Sequence, residues 1–135
     1  MSVYHLDIET FGSEDLRSYG AYKYAHGADT EVLLCAVCKD DGPVEIWDRY
    51  GRAADNEPAL KLMREACVSG ANIVAHNCGF ELAVLTELWQ KTFGFPPPEI
   101  TQWRCTAVMC RVAGIPSSLE KAAEFLKLGE QKDKT

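Results

Sequence analysis

From Val3 to Glu9 the chain alternates Tyr4, Leu6 and Ile8 with Val3, His5, Asp7 and Glu9, the two-residue period of a strand with one apolar and one polar face. Residues 10–30 are rich in Gly, Ser, Asp and Tyr without a sustained period. They read as a loop with a short turn near Leu16 to Tyr19. Glu31 to Cys38 predicts a second strand, the turn residues Lys39 to Gly42 follow, and Val44 to Trp47 completes a hairpin. Asn56 and Pro58 mark a helix start, Leu60, Met63 and Cys67 recur at helical spacing, and Gly70 is placed to end that helix. Ile73 to Ala75 predicts a short buried strand. A helix over about Gly79 to Phe93 then carries Leu82, Leu85 and Trp89 on its inner stripe, and Gly94 to Pro98 stops it. An extended piece near Gln102 to Cys105 leads to a helix over about Thr106 to Ala113. Ser117 or Ser118 caps a last helix ending at Leu126. Strands followed by alternating helix, strand and helix predict an α/β fold, a mixed sheet flanked by helices of ribonuclease H-like arrangement.

Composition sets the scale of this fold. With 135 residues, 47% hydrophobic and 25% charged, the chain has apolar side chains for one core, and residues 1–135 are expected to form a single domain. No apolar run reaches the roughly 18–20 residues needed to span a bilayer, and the first residues lack a signal-like segment. The expectation is a cytoplasmic protein with no membrane partner. The six cysteines then read as reduced thiols. Cys35 and Cys38, three apart on a strand, point to opposite faces, which disfavours a zinc knuckle.

The net charge of −6 argues against binding nucleic acid mainly through a basic surface. The acidity is local: residues 1–60 carry 12 Asp and Glu against 5 Lys and Arg, and residues 61–135 carry 8 against 9. An acidic cluster around the first strand suits a divalent cation. Asp7 and Glu9, two apart on that strand, share a face with α-carbons about 6–7 Å apart. Half-burying such a pair costs several kcal/mol unless a cation lies between the carboxylates. The plain alternative is a strand end with two solvated acids. A second constellation, His76-Asn77-Cys78-Gly79-Phe80-Glu81, sits at a strand-to-helix junction. Asn77 as an N-cap and Glu81 complementing the helix dipole would be ordinary stabilising features, and neither excludes a metal role. His76 reads as a satisfied core histidine, His5 shares the Asp7 face, and His26 has no assignable role. Tyr19, Tyr22 and Tyr24 suit either base stacking or packing against the sheet.

The run Leu6-Asp7-Ile8-Glu9-Thr10 resembles the first motif of the DnaQ-like, or DEDD, exonuclease superfamily, and the run from His76 to Glu81 resembles its second. Most members have Asp where this chain has Glu81; Glu in that place is a variant of phage-type family A DNA polymerases. Gly20 to His26, Asp29 to Glu31, Trp103 to Thr106 and Ser118 to Glu120 are similar to that subgroup, so the resemblance covers nearly the whole chain. It implies a proofreading-type 3′-5′ exonuclease acting on single-stranded DNA 3′ ends by two-metal hydrolysis with Mg²⁺ or Mn²⁺. Asp7, Glu9 and Glu81 would be catalytic metal ligands. Thr10, Phe11, Asn77 and Phe80 would contact substrate or brace the site. The family's third motif, a Tyr or His followed by Asp, has no match: Asp133 lies in a lysine-rich tail. The chain is then either a piece of a longer polymerase, C-terminally incomplete as a domain, or an inactive remnant that binds single-stranded DNA or serves a structural part. With one ligand missing, one-metal or metal-free occupancy is expected. An RNA-directed exonuclease of the same superfamily would share the metal chemistry. Apolar surface left uncovered would favour homodimers.

Overall fold

A computed structural model describes residues 2–12, 30–76, 82 and 88–128. The described residues form one five-stranded sheet with strands β1 (Val3–Phe11), β2 (Glu31–Lys39), β3 (Val44–Asp48), β4 (Asn72–Ala75) and β5 (Trp103–Cys105). Their order across the sheet is β3-β2-β1-β4-β5. The β3-β2-β1 part is antiparallel, whereas β4 and β5 run parallel to β1, so the sheet is mixed and β1 is its central strand. Helix α1 (Ala53–Ser69) makes the crossover from β3 to β4, and α2 (Thr106–Val112) and α3 (Leu119–Phe125) follow β5. This is the expected α/β, ribonuclease H-like arrangement.

The alternation in β1 is realised as burial. Tyr4, Leu6 and Ile8 are buried, and His5, Asp7 and Glu9 are exposed. The inward side chains join Cys35, Val37, Trp47, Ile73 and Trp103 from the other strands, with Ala59, Met63 and Ala66 of α1 closing over them. Helical residues 88–93 complete this side: Phe93 meets Trp47 edge-on at 4.9 Å, and Trp89 meets Phe93 at the same distance. Trp89, the largest fully buried side chain described, carries the inner stripe expected of that helix, and Leu82 packs against the same core. Leu85, the turn near Leu16 to Tyr19, the three loop tyrosines, His26 and Cys78 lie outside the described residues.

The strands run slightly longer than expected, to Phe11, Lys39 and Asp48, because ladder pairing extends beyond the apolar pattern. The start of α1 differs more. Asn56 does not begin the helix: Ala53 does, with Arg52 before it making no side-chain cap. Asn56 instead points back at β3, where its Oδ1 accepts from Asp48 N and its Nδ2 donates to Asp48 O, both at 2.9 Å. A buried amide that satisfies both polar groups of one strand residue gains more there than by capping an exposed helix end. Gly70 ends the helix as expected, with φ 71°, a conformation that strains residues bearing a Cβ. Ser118 caps α3 by accepting from Lys121 N at 3.2 Å.

The piece before β5 is a short 3₁₀ turn, Ile100–Gln102, tied to the core by an amide the apolar pattern does not reveal. Buried Gln102 donates through Nε2 to Ala66 O at 2.7 Å and Ala71 O at 3.0 Å, and its Oε1 accepts from Glu99 N at 2.9 Å. The end of α1, the turn into β4 and the approach to β5 are thus held by one side chain. All five described cysteines are free thiols. Cys35 is buried in the core and Cys38 faces the other way, its Sγ donating to Asp40 O and Gly42 O, so no zinc pair forms. Burial pushes the Cys67 thiol up to about 12, which keeps it protonated and unreactive at neutral pH.

Candidate active site

The side chains that α1 does not cover form the second face of the sheet. His5, Asp7 and Glu9 of β1 stand there beside Cys38, Ala36 and Leu34 of β2, their respective register partners. Val74, opposite His5, and Arg104, opposite Val74, extend the face across β4 and β5. Asp7 and Glu9 are both exposed, with Leu6 and Ile8 anchoring the strand between and beside them from the opposite side. Described pairing with β4 stops at His5, so the two carboxylates lie where β1 runs on past the end of its parallel neighbour. In open α/β sheets this carboxyl end is where ligands have room to bind.

A cavity of about 230 Å³ opens on this face, lined by His5, Asp7, Ala36, Cys38, His76 and Thr106 among others. Just beyond Glu9 the β1–β2 register shifts: Glu9 pairs with Leu34 and Thr10 with Val32, leaving Leu33 as the extra residue of a bulge. Bulges twist a strand locally and re-aim the side chains that follow. Here the bulge precedes Thr10 and Phe11, and Phe11 ends the strand with more than half of its surface exposed. The carbonyls beside the bulge are taken up by one residue that sequence reasoning overlooked. Arg49 donates through its backbone N–H to Leu33 O at 2.9 Å and through Nε to Val32 O at 2.6 Å. Its guanidinium is steered by Glu31 at 3.6 Å and lies over the Trp47 ring at 5.7 Å. Nothing in the local sequence distinguishes this arginine from an ordinary turn cation, because its partners are main-chain atoms.

Among the described residues neither Asp7 nor Glu9 has an ion-pair or hydrogen-bond partner, and no three His, Cys, Asp or Glu side chains converge as a metal cage. An all-oxygen pair of carboxylates without a protein cation nevertheless has the donor chemistry of a hard divalent ion. Asn77, Phe80 and Glu81 lie outside the described residues. His76, the last described residue before them, is the satisfied histidine expected: Nδ1 lies 2.8 Å from Thr106 Oγ1 and Nε2 lies 2.6 Å from Ser117 O. Thr106 and Ser117 gave no signal of this partnership, since the three residues meet only through the fold.

The sheet order and the acidic pair on its central strand define a DnaQ-like protein. No family model matches the chain. Over 135 residues it is 36% identical to the DNA polymerase of Bacillus phage SP02, a match covering 99% of this chain and 19% of that polymerase. The chain therefore spans about one fifth of the length of that curated relative. Its fold is also found in the family B DNA polymerase of the hyperthermophilic archaeon Pyrobaculum calidifontis, with a TM-score of 0.59 and 19% identity, covering 96% of this chain and 18% of the other. The chain belongs to the DnaQ-like superfamily, in its DNA-polymerase-associated branch.

Proposed function

We propose that this chain is the 3′-5′ exonuclease domain of a phage-type, family A DNA polymerase, hydrolysing phosphodiester bonds at single-stranded DNA 3′ ends. The observation that carries this reading is the placement of Asp7 and Glu9 together, exposed, on the central strand of a polymerase-related DnaQ-like sheet.

Asp7 and Glu9 would hold Mg²⁺ or Mn²⁺, with Glu81 as the further carboxylate. The bound ions supply an activated water and stabilise charge on the phosphate. The rigid support of Leu6 and Ile8 keeps the Asp7 and Glu9 carboxylates from retreating toward solvent, so little order has to be imposed when an ion binds. Thr10 and Phe11, re-aimed by the bulge, would meet the terminal nucleotide, the Phe11 ring offering a stacking surface. Asn77 and Phe80 would brace the same nucleotide. The remainder of a polymerase would be the partner in the same chain. Self-association into homodimers would use the uncovered apolar side chains of the sheet, Leu34, Val44 and Ile46.

The test is nucleotide release from 3′-labelled single-stranded DNA in Mn²⁺, for this chain and for Asp7→Ala. Release that falls to background in the variant is the expected result. Absence of release from the unaltered chain would overturn the exonuclease reading in favour of a non-catalytic, DNA-binding or structural part. Preferential competition by RNA would move the substrate from DNA to RNA.

A further inference from the structure

We infer that His76 is a positioning residue for the carboxylate face, clamping the end of β4, the start of α2 and the chain before α3 into one wall beside Asp7; this rests on the exonuclease reading for its functional consequence. His76 is the first residue after β4. Because His5 pairs with Val74 in a parallel ladder, carrying the register forward two residues sets His76 level with Asp7 and on its side of the sheet. Both residues line the same cavity, and Thr106 lines it with them.

The hydrogen bonds fix the imidazole completely. Ser117 O can only accept, so the Nε2 at 2.6 Å carries a hydrogen. In the neutral ring Nδ1 is then an acceptor, and the Thr106 hydroxyl at 2.8 Å donates to it. The other acceptor near that hydroxyl, Ala75 O at 3.5 Å, is too distant to compete. Thr106 is the first residue of α2, and Ser117 directly precedes the Ser118 cap of α3. Buried Ala107, Ala122 and Ala123 of these two short helices lie outside the main core cluster, which places this clamp among the few specific ties between the helices and the sheet. The same residue leads directly into Asn77, so the acidic second segment begins from an imidazole whose orientation three elements determine. Side chains that orient ligands without binding the metal themselves change affinity or activity by about 10- to 100-fold when lost.

Thr106→Val keeps the side-chain shape and removes the hydroxyl; Thr106→Ser restores it. In Thr106→Val, amide hydrogen exchange should speed up over residues 72–76, 106–112 and 119–125 while β2, β3 and α1 keep their wild-type protection. Nucleotide release should lose about 10- to 100-fold in kcat with KM within about twofold, and Thr106→Ser should recover both. Exchange that stays unchanged, or that accelerates equally in every element, would overturn the clamp whether or not nucleotide is released. A local exchange change with undiminished release would overturn its positioning role. If the wild-type chain releases no nucleotide yet the local exchange pattern appears, the clamp stands and the exonuclease reading falls.

Discussion

At the scale of single residues, the side chains around the candidate site are held by partners on the main chain. Arg49 is the clearest case, since one guanidinium and its own N–H satisfy the carbonyls that flank the bulge after Glu9. Arg49→Met retains much of the packing on Trp47 but leaves Val32 O without its charged donor. We expect a destabilisation of about 1.5–3 kcal/mol, the range for a hydrogen bond to a charged group, measured by urea unfolding. Faster hydrogen exchange at Thr10 and Phe11 should accompany it, and unaltered exchange there would show that the bulge holds itself. Asp40 at the hairpin turn offers a pH test. Its Oδ1 accepts from Val3 N at 2.8 Å, and this hydrogen bond, with one from Ser2, holds its carboxyl below the ordinary aspartate value. A depressed folded pKa means the stabilisation is present above the unfolded value of about 3.9 and is lost as pH falls through the lower folded value. The thermal midpoint of the wild type should therefore exceed that of Asp40→Asn at neutral pH, with the gap closing below about pH 4. A gap that is independent of pH would assign the effect to turn conformation, since Asp40 has φ 52°.

At the scale of elements, two side chains decide how helices seat on the sheet. Trp89 fixes helical residues 88–93 through edge contacts with Phe93 and Phe95 at 4.9 and 5.6 Å. Trp89→Ala should cost about 3–5 kcal/mol, as for other large aromatic truncations in cores, read from the unfolding midpoint. Gln102 performs a different task, since removing its amide leaves Ala66 O, Ala71 O and Glu99 N to find new partners in a buried place. Each unsatisfied group costs about 1–3 kcal/mol. Gln102→Leu, of similar size, should thus destabilise severely although it makes the core more apolar. A variant as stable as the wild type would show that water enters and replaces the amide.

At the scale of the molecule, the described sheet is asymmetric. One face is filled by α1 and residues 88–93, and the other presents the carboxylates amid exposed apolar side chains, Val44 at 61% and Ile46 at 47%. No described helix is long and apolar enough to cross a membrane, so these side chains are not part of a helical span. Sedimentation velocity should reveal concentration-dependent dimers that Ile46→Lys abolishes; a wild-type monomer at every concentration would remove the homodimer. β3 forms one edge of the described sheet, which makes its face accessible for such pairing.

The local patterns determined much of this protein. Period-two alternation in Val3 to Glu9 fixed which side of β1 would be buried, and so placed Asp7 and Glu9 on a shared exposed face before any contact was known. Helix ends written in single residues, Gly70 and Ser118, were equally legible, because capping is local chemistry. Tertiary structure alone decided the true start of α1, since Asn56 is drawn to Asp48 in β3. It also decided the bulge held by Arg49, the threefold tie of Gln102 and the bridge from His76 to Thr106 and Ser117. Each of these joins a side chain to backbone or hydroxyl groups far along the chain. Such partners leave no periodic trace, because a main-chain carbonyl is the same at every residue and only the fold selects which one is near.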